Sequence, residues 1–193
     1  DDTALVTVEQ QYEIAGGVTL DNDAATAAWI NQCRFLGNTS HDGGGALLSF
    51  SDMIVRNSIL NGNSSATNGG AFYSYIRVEG PEILTTELNF YNCEFSGNSV
   101  PGMGGAGFVK NCMLKMEDCF LVKNTAFSGG GVRVSQGNLE MRGTLLYGNE
   151  ATGVIAGAHR TVTEEGFGGG LDITDSEFVI ENSRFEHNKA IGR

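Results

Sequence analysis

Two short signals recur along nearly the whole chain, and their spacing leaves few folds open. A Gly-Gly pair falls at 16-17, 44-45, 69-70, 104-105, 130-131 and 169-170, and a Phe/Leu-x-x-Asn segment ends at Asn38, Asn63, Asn98, Asn124, Asn149 and Asn188. Eight residues separate each of the first four asparagines from the apolar residue after the next Gly-Gly pair (Ala46, Ala71, Ala106, Val132). Seventeen separate Ala46, Val132 and Leu171 from the asparagine that follows, so the unit is twenty-five residues. A period in this range marks a stacked-repeat architecture. Longer gaps read as insertions near 21-23, 74-84 and 150-167.

Inside one unit the apolar positions come in pairs two residues apart. Ten and eight residues before the asparagine lie Met53/Val55, Leu88/Phe90, Leu114/Met116, Leu139/Met141 and Phe178/Ile180. Five and three before it lie Cys33/Phe35, Ser58/Leu60, Cys93/Phe95, Cys119/Leu121, Thr144/Leu146 and Ser183/Phe185. After the Gly-Gly pairs, the same counting makes Ala46/Leu48, Ala71/Tyr73, Ala106/Phe108, Val132/Val134 and Leu171/Ile173 inward. Period two is strand spacing, and no unit holds the longer 3.6-residue pattern a helix needs. The expectation is an all-β chain: a right-handed parallel β-helix of about six turns, three short strands per turn, with stacked asparagine and Gly-Gly corners. Residues 16-193 form one such domain, and 1-15, with Ala4-Leu5-Val6-Thr7-Val8, supply an N-terminal strand or partial turn.

Charge excludes some functions. The formal net charge is -11 with only 12 Lys+Arg, scattered, so there is no basic stripe for nucleic acid. No apolar run is long enough for a membrane helix, and membrane insertion by this segment is not expected. Cys93 and Cys119 share one inward slot in consecutive turns. Stacked Cα atoms about 4.8 Å apart suit a disulfide, which makes the pair a candidate bond. The alternative is a ladder of small interior residues, because Ser58, Thr144 and Ser183 fill the same slot.

The asparagine column reads as structural, each side chain bonding along the stack and to corner backbone. Asn38-Thr39-Ser40 and Asn63-Ser64-Ser65 match glycosylation acceptors, but inward asparagines are poor ones. No catalytic constellation emerges. The expected outward positions of strand one, among them Leu47, Phe72, Arg133 and Asp172, hold no column of paired carboxylates of the kind general acid/base work needs. Strand two mixes Glu87, Glu117, Glu140, Glu177 and Glu181 with Arg56, Lys115 and Arg142, which is the pattern of a solvated face. Asp21-Asn22-Asp23 is a weak calcium signal without the spaced glycine and distant glutamate of a calcium loop; no cofactor or metal is otherwise expected. His159, Arg160, Glu164 and Glu165 are candidate ligand contacts on the longest insertion. The outward residues Ile59, Phe120, Val122, Leu145 and Tyr147 of strand three form a candidate partner surface, being apolar where a free face should be polar.

The Gly-Gly-Ala/Val/Leu and Phe-x-x-Asn alternation over roughly residues 16 to 193 resembles the repeats of the polymorphic outer-membrane proteins of chlamydiae. That resemblance implies a surface-exposed β-helical passenger with adhesive or structural roles, although Leu60, Leu121 and Leu146 replace Phe in half the copies. The last unit stops mid-repeat, so the ends are expected to be open and met by neighbouring segments of a longer chain or by self-association. The expected function is therefore a non-enzymatic, extracellular or cell-surface structural or adhesive segment. The alternatives are a glycan-binding module using the inserted loops and, less favoured, a polysaccharide lyase, hydrolase or epimerase.

Overall fold

The structure, a computed structural model, describes residues 8–9, 18–20, 27–76, 86–153 and 167–191. It is all-β in these residues, with no helix. Every ladder is parallel, and the neighbours in each sheet are the matching strands of consecutive copies. The first sheet stacks Val18–Leu20, Leu47–Ser49, Phe72–Tyr75, Gly107–Lys110, Val132–Ser135 and Leu171–Thr174. In the second lie Ala28–Asn31, Met53–Arg56, Thr86–Tyr91, Cys112–Glu117, Asn138–Arg142 and Glu177–Glu181. The third contains Arg34–Leu36, Ile59–Asn61, Glu94–Ser96, Phe120–Val122, Leu145–Tyr147 and Arg184–Glu186. Val8–Glu9 adds one more strand to the second sheet, Val8 opposite Ile30, so part of the N-terminal segment pairs as a further layer.

The second and third sheets bury the pairs expected from the sequence. Val55, Leu88, Phe90, Leu114, Met116, Phe35, Leu60, Phe95 and Leu121 are all fully buried. The first sheet requires a correction. Leu47, Phe72, Gly107, Val132 and Leu171 stand in one column, followed two residues on by Ser49, Ser74, Val109, Val134 and Ile173. Leu47, Phe72 and Val109 therefore point inward, whereas Leu48, Tyr73 and Phe108 lie in the same column as Arg133 and Asp172 on the outer side. The cause is a corner one residue shorter after Asn124. Isolated bridges align Gly43 with Asn68 and Met103 with Ser128, which lies only four residues beyond its asparagine. The corner glycines that correspond are Gly44, Gly69, Gly104, Gly129 and Gly168, all at positive φ of 60 to 74°. Anchoring on the last glycine of Gly129-Gly130-Gly131 had shifted the first three copies by one position, and in a strand that exchanges the two faces.

A fourth, very short strand follows five of the six asparagine corners, where three strands per copy were expected. Thr39–Ser40 pairs with Ser64–Ser65, and Thr125–Ala126 with Glu150–Ala151 and Lys189–Ala190, while Ser99 bridges Ser64 to Thr125. Between the second and third sheets, the chain turns on a single left-handed residue in each copy: Gln32, Asn57, Asn92, Asp118, Gly143 and Asn182. Polar residues with short side chains tolerate that conformation best after glycine.

The interior is not uniform along the stack. Phe72, Phe90 and Phe95 meet at one level, with ring centroids 4.6, 5.3 and 5.1 Å apart. Phe72 reaches into the layer above, where Gly107 leaves the room: a Cβ there would lie 2.0 Å from the Phe72 ring.

Candidate functional site

The asparagine column is built as a continuous buried ladder. The Oδ1 of Asn98 accepts from the Asn63 backbone N–H at 2.9 Å and from its Nδ2 at 3.0 Å, while Asn98 Nδ2 donates to Leu60 O and Asn124 Oδ1, both at 2.9 Å. The same pattern runs from Asn38 through Asn63, Asn98, Asn124 and Asn149 to Asn188. Buried amides with all four bonding sites in use have no capacity left for a ligand. The amide nitrogens of Asn38 and Asn63 are likewise engaged along the ladder, so neither sequon presents an acceptor.

The candidate Cys93–Cys119 bond is not present: both thiols are reduced and buried, as the alternative of a ladder of small interior residues requires. The physical reason is what the slot does. Each occupant donates to the carbonyl two residues earlier: Cys93 Sγ to Tyr91 O at 3.3 Å, Cys119 Sγ to Glu117 O at 3.3 Å, Ser58 Oγ to Arg56 O at 2.7 Å and Thr144 Oγ1 to Arg142 O at 3.0 Å. A donor that closes its own corner is the common requirement, and parallel side chains doing so need not join. Cys119 also shares its hydrogen with Cys93, and this together with burial pushes its thiol well above the usual range. Cys112, at the preceding corner, donates to Lys110 O at 3.1 Å and lies 3.3 Å from Ser74 Oγ; burial raises its thiol too.

Four of the five candidate partner residues come together on the outer face of the third sheet. Phe120 stands beside Leu145 and Val122 beside Tyr147, with Phe120 47% and Tyr147 36% exposed. Ile59 does not join them, because Glu94 lies between it and Phe120 in the column. Glu94 and Ser96, hydrogen-bonded at 2.7 Å, bound the patch on one side, and the Arg184–Glu186 ion pair bounds it on the other. His187 packs edge-on against Tyr147 at 5.3 Å. In the last described layer, every strand is paired on one side only among the described residues. Phe178 and Phe185, which continue the inward pattern, are 58% and 45% exposed.

The outer face of the second sheet holds an arrangement that repeat counting did not anticipate. The Arg56 guanidinium lies over Trp29 at 5.2 Å and over Tyr91 at 4.8 Å, and Lys115 Nζ lies 5.5 Å from the same Tyr91 ring. Further along, Arg142 bridges Glu140 at 2.9 Å and Glu181 at 2.8 Å. On the first sheet's outer face, Tyr73 stacks on Phe108 at 5.6 Å. Arg133 meets Asp172 at 2.6 Å in a largely buried pair, to which Ser128 Oγ adds a 2.6 Å bond to the carboxylate. The sequence places Thr19, Arg133 and Asp172 outward in that column, but not its aromatic members Tyr73 and Phe108.

His159, Arg160, Glu164 and Glu165, like Asp21-Asn22-Asp23, lie outside the described residues. Among the described residues, no group of three or more His, Cys, Asp or Glu side chains is arranged to hold a metal ion. No described helix is long and apolar enough to cross a membrane. Comparison with family models, curated proteins and solved structures gives no match to this chain.

Proposed function

We propose that the chain winds as a right-handed parallel β-helix and serves as a non-enzymatic structural and adhesive module of an extracellular or cell-surface protein. Its repeats resemble those of the chlamydial polymorphic outer-membrane proteins, and the role implied by that resemblance is the one proposed. The observation carrying the reading is the apolar patch of Phe120, Val122, Leu145 and Tyr147, which sits on a regular sheet face between two charged boundaries. Apolar groups gathered on one face favour association because pairing removes them from water. Phe178 and Phe185, on strands paired on one side only among the described residues, are placed where a further layer in register, from this chain or from another copy, would cover them.

Light scattering after size exclusion, with negative-stain imaging of the same fractions, tests this reading. The chain is expected to form regular oligomers or rods. The pair Phe120→Glu with Tyr147→Lys should remove side-by-side contacts, and Phe178→Glu with Phe185→Lys should shorten the rods. A monodisperse monomer unaffected by either pair of changes is the result that overturns it.

A further inference from the structure

From the second sheet's outer face, we infer that Trp29, Arg56, Tyr91 and Lys115 form a binding strip for a sparsely carboxylated polysaccharide lying along the stack axis. The inference stands on sheet register and the cation–ring contacts, and does not depend on the chain's self-association. The four side chains belong to four consecutive layers and alternate ring, cation, ring, cation. Arg56 has an aromatic ring on each side, and among the described residues no carboxylate or carbonyl takes its N–H groups. A guanidinium whose faces are covered can be approached only at its edge, where its donors form a fork that fits a carboxylate in bidentate fashion. The rings fix its orientation before any ligand arrives, which lowers the cost of ordering on binding.

Lys115 lies two layers further on, about 10 Å along the axis at the usual strand spacing, and supplies the next cation. It is only loosely engaged by Glu117, at 3.8 Å. The charges around the strip decide what kind of polymer fits. Glu117 stands beside Tyr91 in the same column, Glu87 stands beside Met113 in the neighbouring one, and the whole chain carries -11. A densely charged polymer would set its intermediate charges against these carboxylates, whereas one with an acidic group on every second sugar can place one at Arg56 and the next near Lys115. Between the two cations lies the layer of Tyr91 and Asn89, whose half-buried ring and amide give the intervening neutral sugar an apolar face and a hydrogen-bonding group, while Trp29 extends the strip beyond Arg56.

Trp29 is the sole tryptophan, so its fluorescence reports directly on the strip. The intact chain is titrated with hyaluronan, which carries a carboxylate on every second sugar, with polygalacturonate, heparin and neutral dextran, and with an oligo-glutamate peptide. Affinity electrophoresis in the same polymers gives a second readout. Hyaluronan should change Trp29 emission and retard the protein, weakening with added salt, while dextran does neither. Arg56→Ala should reduce affinity at least tenfold, Arg56→Lys should recover only part of it, and Lys115→Ala should cost a few fold. The urea midpoint of each variant separates lost binding from lost folding. Tighter binding of heparin or polygalacturonate would overturn the spacing argument, and preference for oligo-glutamate would reassign the strip to an acidic protein partner. No response to any polymer, or hyaluronan retention that Arg56→Ala leaves unchanged, would overturn the inference outright.

Discussion

Replacing Asn98 by alanine should be among the most damaging single substitutions that leave the apolar core untouched. The side chain makes four hydrogen bonds in a fully buried position: two accepted from Asn63, one donated to Leu60 O and one donated to Asn124 Oδ1. Alanine removes all four and strands the Asn63 backbone N–H, where water has no access. Lost bonds cost about 1 kcal/mol each, and a buried unsatisfied donor adds about 1–3 kcal/mol, so a loss of about 5–7 kcal/mol is expected. That is a large share of the roughly 5–15 kcal/mol that holds an ordinary domain together. Asn188 is the internal control. It accepts two bonds from Asn149 and donates one to Leu146 O at 2.8 Å, but it is only partly buried, so water can replace much of what is lost. Asn188→Ala should therefore cost about 1–2 kcal/mol. Urea unfolding followed by far-ultraviolet circular dichroism measures both. An Asn98→Ala loss below about 1 kcal/mol, or one equal to that of Asn188→Ala, would falsify the claim that burial of the ladder sets its strength.

Further outcomes follow from the corners and the interior. Lys123 stands at φ 53° where four of the other five copies have glycine, so Lys123→Gly should stabilise by about 0.5–1 kcal/mol in the same urea assay. Gly97→Ala, with nothing within 4 Å of the added Cβ, should cost only the left-handed strain of about 1–2 kcal/mol; Gly105→Ala, whose Cβ would lie 2.0 Å from Gly130 O, should cost far more or prevent folding. Cys119→Ser should be nearly neutral, because serine fills the same slot at Ser58 and Ser183, whereas Cys119→Val should cost about 1–2 kcal/mol by leaving the corner carbonyl without its donor. Burial raises the thiols of Cys33 and Cys112, so the folded chain holds them protonated when the unfolded chain releases protons, whereas Cys93 and Cys119 share a hydrogen bond that lowers the one and raises the other. From Cys33 and Cys112, stability should be unaffected below the ordinary thiol value of 9.0 and fall as pH rises above it. A urea midpoint that stays level between pH 8 and pH 10.5 would contradict this.

The parts of the fold governed by strict chemical requirements were legible in the sequence. The asparagine ladder and the inward pairs of the second and third sheets follow from residue type and a period of two, because few side chains satisfy a buried corner and alternation has only two phases. The first sheet was misread in three copies for the complementary reason. Its register depends on a one-residue difference in the corner between Asn124 and Ser128, and Gly129-Gly130-Gly131 offers two equally good anchors. Recognising Gly129, not Gly130, as the partner of Gly104 would have exposed Tyr73 and Phe108 as outward. The two-residue fourth strand has no periodicity to read. Ile59 fell away from the apolar patch because the intervening copy carries Glu94, which direct column alignment across copies would have revealed. The Trp29, Arg56, Tyr91 and Lys115 strip escaped because it crosses two outward columns, and only register shows that these distant residues are neighbours.

The fit of Phe72 into the space above Gly107 means that the copies are not interchangeable parts. A ring that occupies two storeys makes the lower copy's residue and the upper copy's glycine a single inherited unit: either can vary only if the other does. Any swap, duplication or averaging of layers that put a residue other than glycine above Phe72 would place a side chain where its ring already sits, even though every repeat motif was preserved. The order of the layers is thus written in their interior volumes as well as in the chain that links them.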